Sequence, residues 1–464
     1  MANQVTLTPL EEVGAKAAAA APAVAPAKAV PSVKEEVKKE EAGKKPNGKV
    51  NSEGQAATLT KQLQNAILAG NIPQIVMYTI TLALVMGASD IHIEPEEKTV
   101  RIRLRIDGVL RLIVEYPNNI HPAVVSRVKI MSSLKIDEQR VPQDGRTQVT
   151  TEDGRNIDLR VSTLPTVNGE KICKRLQDKT KTIPDLPDLG LRGSSLELME
   201  GFCKLPNGII LVTGPTGSGK TNTLYSVLNR LNEIGVNIMT FEDPVEYQMD
   251  GLNQSQVRPE IQYDFSRGLR TALRQDPDII MVGEIRDQET IEIAIRAALT
   301  GHLVLSTIHT NSAVSTLTRI TDMGVKPFLI TSSIRGIVSQ RLVRRICTEC
   351  KEEITVEPEV AKEIQEELKA VKEKDLDPAL LKGMKMYKGK GCQKCNNLGY
   401  KGRVAVFEIL ALEREVGQLV IKNAPDAELE DAARKQGMIT LKQDGFIKAL
   451  QGLTTLEEIF RISG

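Results

Sequence analysis

The feature that most constrains the fold is an apolar run that leads directly into a glycine-rich loop. The run IILVT at 209–213 is followed by GPTGSGKT and then by TNTLYSVLNRLNEIG, which has the spacing of a helix. A strand, a loop of the form G-x-x-x-x-G-K-T and a helix, in this order, are the usual context of a phosphate-binding loop. Such units occur in α/β folds with a buried parallel sheet. We therefore expect an α/β domain rather than a chance glycine-rich turn.

The loop supplies the groups that hold the phosphates of a nucleotide. Its glycines let backbone N–H groups point at phosphate oxygens, at the positive end of the following helix. Lys220 is expected to contact the β and γ phosphates, and the Thr221 hydroxyl is expected to bind Mg²⁺. The residues expected to bind the nucleotide are Gly214, Pro215, Thr216, Gly217, Ser218, Gly219, Lys220, Thr221 and Asn222.

Three further apolar runs end next to residues that can do chemistry. NIMTF precedes Glu242, DIIMV precedes Gly283 and Glu284, and HLVLST runs into His309. Continuous apolar runs are typical of buried parallel strands, and ligands bind at the carboxyl ends of such strands. We therefore expect the four strand ends to meet at one crevice.

The acidic residues at these strand ends are candidates for catalysis. Glu242 is expected to orient and deprotonate the attacking water, and Glu284 to position Mg²⁺ and water. Either carboxylate taken singly could instead be solvated or cap a helix. His309 is as compatible with a structural histidine as with phosphate sensing. Arg160 and Arg175 could stabilise the charge of the transition state, a task that often falls to a neighbouring subunit.

Four of the six cysteines form two C-x-x-C pairs. CTEC contains Cys347 and Cys350, and CQKC contains Cys392 and Cys395, with the charged segment EVAKEIQEELKAVKEK between the pairs. Two such pairs in a reducing compartment predict a four-thiolate Zn²⁺ site. Because the protein supplies all four ligands, the site has no open position for substrate, so the zinc is expected to be structural.

Composition divides the chain into segments. Residues 1–57 are rich in Ala, Pro, Lys and Glu and are expected to be a disordered tail. The apolar stretch 72–88 is interrupted by polar residues and is shorter than the ~20 residues a bilayer requires, so it is expected to be a buried helix. The expected organisation is a small α+β domain at 58–183, a nucleotide-binding core at 184–340, a zinc subdomain at 341–403 and a C-terminal helical region at 404–464.

Four motifs together resemble the secretion ATPases of the GspE/PilB type, the motors of type II secretion and type IV pilus assembly. GPTGSGKT is similar to the family's Walker A, TFEDPVEY to its Asp box, MVGEIRD to its Walker B and GHLVLSTIHTNSA to its His box. Upstream, GASDIHIEP, RIDGVL, VPQDGR and RVSTLPTVNGEK resemble the family's second N-terminal domain. The resemblance covers the chain from about Thr58 to its end.

This resemblance implies a RecA-like ATPase core preceded by a small, PAS-like α+β domain. It implies ATP, Mg²⁺ and Zn²⁺ as cofactors, Glu242 as the base, Glu284 on the metal, and Arg160 and Arg175 reaching the nucleotide. It further implies a homohexamer in the cytoplasm, peripheral to the inner membrane, that acts on a membrane platform protein, either directly or with a cytoplasmic adaptor. The tetracysteine set favours assembly over pilus retraction, because retraction motors generally lack it.

The chain departs from the family pattern at two places. The tail stands where a folded first N-terminal domain is usual, which puts docking and cyclic-dinucleotide sensing by that domain in doubt. Asn168 stands where many relatives carry histidine.

The alternative function from another class is a motor that translocates nucleic acid. With 61 basic and 60 acidic residues, no Trp, seven Phe and seven Tyr, the chain shows neither a polyanion-binding charge nor a stacking platform. The basic cluster QRLVRRIC, with Arg341, Arg344 and Arg345, is expected to pair with acidic residues across a subunit interface. No nucleic-acid partner is therefore expected.

Overall fold

The computed structural model describes residues 52–151, 156–178 and 183–463. The expected disordered tail lies outside the described residues up to position 51. The helix that follows begins at Ser52, so the boundary predicted at residue 58 is corrected. Leu59 and Leu63, one helical turn apart, are buried in the core of the small domain, and Ala56, before the predicted boundary, packs against the same core.

The small domain consists of a six-stranded antiparallel sheet and three helices. The sheet order is β3-β2-β1-β6-β5-β4. Alternation of buried and more exposed positions, clearest in β2, places one face of the sheet on the helices. The elements are α1 Ser52–Leu68, α2 Ile72–Val85, β1 Ala88–Pro95, β2 Thr99–Ile106, β3 Val109–Pro117, α3 His121–Met131, β4 Gln143–Thr150, β5 Asn156–Thr166 and β6 Gly169–Asp178.

Helix α2 is the apolar stretch that could be mistaken for a membrane span. Its Asn71 cap accepts a hydrogen bond from the N–H of Gln74, and a proline stands in its first turn. Its apolar side chains pack in the core of the small domain, which confirms the expected buried helix. In the ranges that the structure describes, no helix is both long enough and apolar enough to cross a bilayer.

The second domain is built on a seven-stranded sheet of order β15-β12-β7-β11-β10-β8-β9. Strands β12 to β9 in this order pair in parallel, and β15 pairs antiparallel with β12. The elements up to β12 are α4 Gly193–Phe202, β7 Gly208–Thr213, α5 Lys220–Leu231, β8 Ile238–Glu242, β9 Asn253–Gln256, α6 Phe265–Ala272, β10 Ile279–Val282, α7 Gln288–Leu299, β11 Leu303–Ile308, α8 Ala313–Asp322, α9 Pro327–Ser333 and β12 Ile334–Ile346.

The four apolar runs found in the sequence are β7, β8, β10 and β11, which confirms them as neighbouring parallel strands. Every residue of β7, β10 and β11 is buried, as both faces of the sheet are covered. Because the four strands point the same way, their carboxyl ends meet at one edge.

The remaining elements include those between the two cysteine pairs, the last strand of the seven-stranded sheet and the C-terminal helices. They are β13 Lys351–Ile354, α10 Pro358–Leu368, α11 Ala379–Lys382, β14 Met386–Gly389, β15 Tyr400–Ala411, α12 Arg414–Ile421, α13 Asp426–Gln436, α14 Leu441–Leu450 and α15 Leu456–Ser463. The boundaries predicted at 340/341 and 403/404 fall inside β12 and β15, which are paired strands of the large sheet. The cysteine region is therefore an insertion between these two strands.

Candidate functional site

The phosphate-binding loop connects β7 to α5, as its motif predicts. Gly214, Gly217 and Gly219 all have positive φ angles, of 144°, 81° and 90°. A Cβ on Gly214 would lie 2.4 Å from the carbonyl oxygen of Gln340, so the loop backbone also needs glycine for lack of space. Lys220 Nζ donates to the carbonyl oxygens of Gly214 at 2.9 Å and Pro215 at 3.2 Å.

The loop lines a cavity of about 1270 Å³ that is large enough for a nucleotide. Its walls come from the loop, from the carboxyl ends of β8, β10 and β11, and from β1 and β6 of the small domain. The structure thus brings the four strand ends to one crevice, as expected. Of the sequence-predicted residues, those that line it are Thr216, Gly217, Ser218, Gly219, Lys220, Thr221, Asn222, Glu242, Glu284, His309 and Arg175.

Glu242 is the most enclosed of the acidic side chains at the cavity, with 3% of its surface exposed. Its carboxylate accepts hydrogen bonds from Thr240 Oγ1 at 2.6 Å, from Gln254 Nε2 at 3.2 Å and from the Tyr225 hydroxyl. Burial raises the pKa of Glu242, and the three donors oppose that rise because they favour the charged form. A carboxylate balanced in this way is suited to accept a proton from water.

Glu284 lies beyond the end of β10 and is mostly buried. It accepts a hydrogen bond from Arg286, and its Oε2 lies 3.5 Å from Nε2 of His309, whose side chain is 50% exposed. Burial lowers the pKa of Lys220, whereas the nearby negative charge of Glu284 raises it. Glu284 therefore brings a negative charge to the cavity, beside His309 and near enough to Lys220 to affect the pKa of that lysine.

The two arginines of the small domain lie at different distances from this cavity. Arg175 lines it and donates from Nε to Asp90 Oδ1 at 3.0 Å. Arg160 is not among the lining residues of the described chain; its Nη2 donates to Glu246 Oε2 at 3.0 Å. Gln177 also donates to Glu246. Glu246 belongs to the motif TFEDPVEY of the second domain and itself lines the cavity, so Arg160 is bonded to a residue of the cavity wall without lining the cavity.

Arg344, in the basic cluster near the end of β12, pairs with an acidic residue of its own chain, not across a subunit interface as predicted. For Arg341 and Arg345 the pairing across an interface stays a prediction. Arg344 binds Glu458 at 2.7 Å because α15 packs against β12. Arg341 donates to the carbonyl oxygens of Gln340 at 3.1 Å and Asn311 at 2.7 Å. Arg345 is exposed.

The four cysteines predicted to bind zinc converge at one point. The Sγ atoms of Cys347 and Cys392 are 3.8 Å apart, as are those of Cys350 and Cys395, and all four lie within 4.8 Å of one another. Zn–S bonds of ~2.3 Å in a tetrahedron separate the sulfurs by about 3.8 Å, so the donor set fits Zn²⁺.

The backbone around Cys395 also favours a thiolate. The N–H groups of Cys392 and Gly399 both donate to Cys395 Sγ at 3.2 Å. Burial raises the pKa of this thiol, but these N–H donors and the neighbouring thiols of Cys392 and Cys350 together lower the pKa to about 7. Such N–H donors are the supporting contacts expected around a metal–thiolate site.

Sequence reasoning missed several residues that shape the cavity. Tyr225 and Gln254 hold Glu242, Arg286 holds Glu284, and Gln340 contacts the phosphate-binding loop. Arg286 stands in the same short motif as Glu284, which was a usable signal. The other three are polar residues of types that occur anywhere, and no spacing marks them.

Comparison with known proteins agrees with these observations. The family described as "Type II/IV secretion system protein" matches residues 66–461. The chain is 48% identical over 384 residues to the type IV pilus assembly ATPase PilB of Thermus thermophilus, which covers 83% of this chain and 42% of that protein. It is 46% identical over 381 residues to the type II secretion system ATPase E of Vibrio cholerae, covering 82% of this chain and 73% of that protein.

A solved structure is similar as well. The crystal structure of the pilus retraction motor PilT with bound ADP aligns with a TM-score of 0.56 and 29% identity, over 83% of this chain and 96% of that one. The chain spans less than half the length of the Thermus relative, so it is compared with part of that protein. The chain belongs to the family of Type II/IV secretion system proteins and is an ATPase of its GspE/PilB group.

Proposed function

We propose that this chain hydrolyses ATP as a homohexamer on the cytoplasmic side of the inner membrane, and powers assembly of a type IV pilus or a type II secretion pseudopilus. The observation that carries this proposal is the meeting of the phosphate-binding loop, Glu242 and Glu284 in one cavity. The names of the relatives, a pilus assembly ATPase and a type II secretion ATPase, support fibre assembly as the process that this ATPase powers.

In this proposal the residues of the cavity divide the work of phosphoryl transfer. The N–H groups of the loop and Lys220 bind the phosphates. Mg²⁺, held by Thr221 and Glu284, would neutralise phosphate charge. Glu242 takes the proton of the attacking water, for which its buried carboxylate has an acceptor position left beside its three donors. His309, next to Glu284, senses the phosphate end of the nucleotide.

The small domain contributes guanidinium groups by moving. Arg175 already lines the cavity, whereas Arg160 has to exchange Glu246 for a phosphate oxygen. Rotation of the small domain against the ATPase domain would make that exchange. Coupling between rotation and ATP binding is the step that transmits force to the membrane platform protein, directly or through a cytoplasmic adaptor.

The test is the ATPase rate of the purified chain under three conditions. It is measured alone, with the cytoplasmic domain of the platform protein from the same organism, and with single-stranded or duplex DNA. Lys220→Ala is the control for contaminating activity, and light scattering gives the oligomeric state. We expect turnover that the platform domain stimulates, that DNA leaves unchanged and that accompanies a hexamer.

Two results would contradict the proposal in different ways. Stimulation of ATP turnover by DNA but not by the platform domain would favour a motor that uses the same ATPase site to translocate nucleic acid. Turnover that is equal in the wild type and in Lys220→Ala would remove the proposed nucleotide site itself. Neither result depends on knowing which fibre is built.

A further inference from the structure

One buried amide lies between the phosphate-binding loop and the helix that follows it. Gln340 in β12 is 1% exposed and is flanked along the strand by apolar residues such as Val338 and Val343. Its Nε2 donates to the carbonyl oxygen of Ser218 at 2.8 Å, and its Oε1 accepts from Thr223 Oγ1 at 2.6 Å. Because a buried amide without hydrogen-bond partners is destabilising, both contacts matter to the position of Gln340.

The contact with Ser218 determines how the next peptide unit is turned. The peptide bond between Ser218 and Gly219 is trans, so its C=O and N–H point in opposite directions. Because the carbonyl oxygen points into the protein at Gln340, the N–H of Gly219 points away from β12. Ser218 and Gly219 both line the cavity.

Thr223 determines which end of the amide faces the loop. If the amide of Gln340 were reversed, its oxygen would stand about as close to the Ser218 oxygen as its nitrogen does now, and two acceptors repel each other. The Thr223 hydroxyl donates to Oε1 and so favours the observed orientation. The N–H of Thr223 also donates to Gly219 O at 3.1 Å, which connects the same residue to the loop.

The backbone of β12 supports the loop at a second point. The carbonyl oxygen of Gln340 occupies the space next to Gly214, where a Cβ would be 2.4 Å away. The adjacent Arg341 bonds both that carbonyl oxygen and Asn311 O, in the segment that follows His309. Gln340 of β12 therefore contacts the loop near both of its ends, at Gly214 through its backbone and at Ser218 through its side chain.

We propose that Gln340 is a positioning residue for ATP binding: through Ser218 it turns the Gly219 N–H towards the phosphates. It acts through the loop, since it does not itself line the cavity. This inference rests on the proposed nucleotide site. The Gly219 N–H binds the same phosphates in the ground state and in the transition state, so its misorientation should raise KM more than it lowers kcat.

The test compares substitutions that remove different parts of the contact. Gln340→Met keeps the size of the side chain and removes both hydrogen bonds. Gln340→Glu keeps the acceptor for Thr223 but places an oxygen next to the carbonyl oxygen of Ser218. Thr223→Val removes only the hydroxyl that donates to Gln340. Gln443→Met is the matched control, because Gln443 is also buried, in α14, donates to Glu367 O at 2.9 Å and does not line the nucleotide cavity.

The readouts are the KM and kcat for ATP, the affinity for a fluorescent ATP analogue, and the thermal midpoint. We expect KM and the dissociation constant to rise about tenfold in Gln340→Met, at least as much in Gln340→Glu and about threefold in Thr223→Val, with kcat within about twofold of the wild type. Gln443→Met is expected to lower the thermal midpoint with unchanged KM. Thr223→Val is the mildest change and tests the same contact if the Gln340 variants do not fold.

The inference and the proposed function fail in distinguishable ways. If Lys220→Ala loses the ATP analogue while Gln340→Met or Thr223→Val binds it as the wild type does, the positioning role is wrong and the nucleotide site stands. An equal rise of KM in Gln443→Met would also overturn the positioning role, because the effect would then follow from general destabilisation. If Lys220→Ala binds the analogue normally, the nucleotide site itself is misplaced.

Discussion

Replacing Tyr225 with phenylalanine removes one atom from the support of the proposed base. The hydroxyl of Tyr225 donates to Glu242 Oε2 and accepts from the N–H of Glu246 at 3.3 Å. The ring itself is fully buried and stays, so the variant tests the hydrogen bonds and not the packing. Glu242 would keep Thr240 and Gln254 as donors on its other oxygen.

The magnitude follows from the burial of both partners. A hydrogen bond to a charged group contributes about 1.5–3 kcal/mol, and a buried acceptor left without its donor costs about 1–3 kcal/mol. We therefore expect Tyr225→Phe to lower the free energy of unfolding by about 1–3 kcal/mol. Urea denaturation of the wild type and the variant under the same conditions measures this loss.

The same change should alter the pH dependence of catalysis. The pKa of Glu242 is raised by burial, and the Tyr225 hydroxyl is one of the donors that limit the rise. Without it the carboxyl binds its proton more tightly, so the pKa rises further. A base works only when it is deprotonated, and the acidic limb of the profile of kcat/KM against pH should therefore move to higher pH. Above that limb the rates of the two proteins should converge.

Tyr247→Phe is the matched control for this experiment. Its ring packs edge-on against Tyr225 with centroids 4.5 Å apart, but its hydroxyl is not a donor to Glu242. The acidic limb should keep its position in the control. Suppose that Tyr225→Phe loses stability as expected but the acidic limb of its kcat/KM profile stays at the same pH. That result would refute the assignment of this limb to Glu242 as the catalytic base.

Three further predictions concern the rest of the chain. Glu284→Gln should retain ATP binding and lose turnover, whereas Lys220→Ala should lose both; a binding assay beside the rate separates them, and full turnover in Glu284→Gln would count against its role. The purified chain should hold one Zn²⁺, and chelation should expose residues 347–395 to protease before the phosphate-binding loop; unchanged resistance would argue against a structural metal. Lys129→Met should cost about 3–5 kcal/mol of unfolding free energy, because the lysine is fully buried with Glu170 at 2.6 Å; a loss under 1 kcal/mol in urea denaturation would contradict the pairing.

The sheet could be predicted where its strands are short, apolar and followed by a motif. The runs that became β7, β8, β10 and β11 need only local hydrophobicity to be recognised, since both faces of these strands are covered. β12 and β15 could not be placed in the same sheet, because 53 residues separate Ile346 from Tyr400 and no local signal reports an antiparallel pairing across that distance. The domain boundaries were drawn inside these strands for the same reason.

Residue identity and spacing alone determined the phosphate-binding loop, the acidic strand ends and the cysteine pairs. Each depends on chemistry that few residue types supply: glycine for positive φ, carboxylates at strand ends, and thiolates with two residues between them. Tertiary structure alone decided which donors hold Glu242, that Arg344 pairs with Glu458 of its own chain, and that Gln340 faces Ser218 across 122 positions of sequence. These are contacts between common polar residues far apart in the chain, and only the packing of strands and helices selects one partner among many.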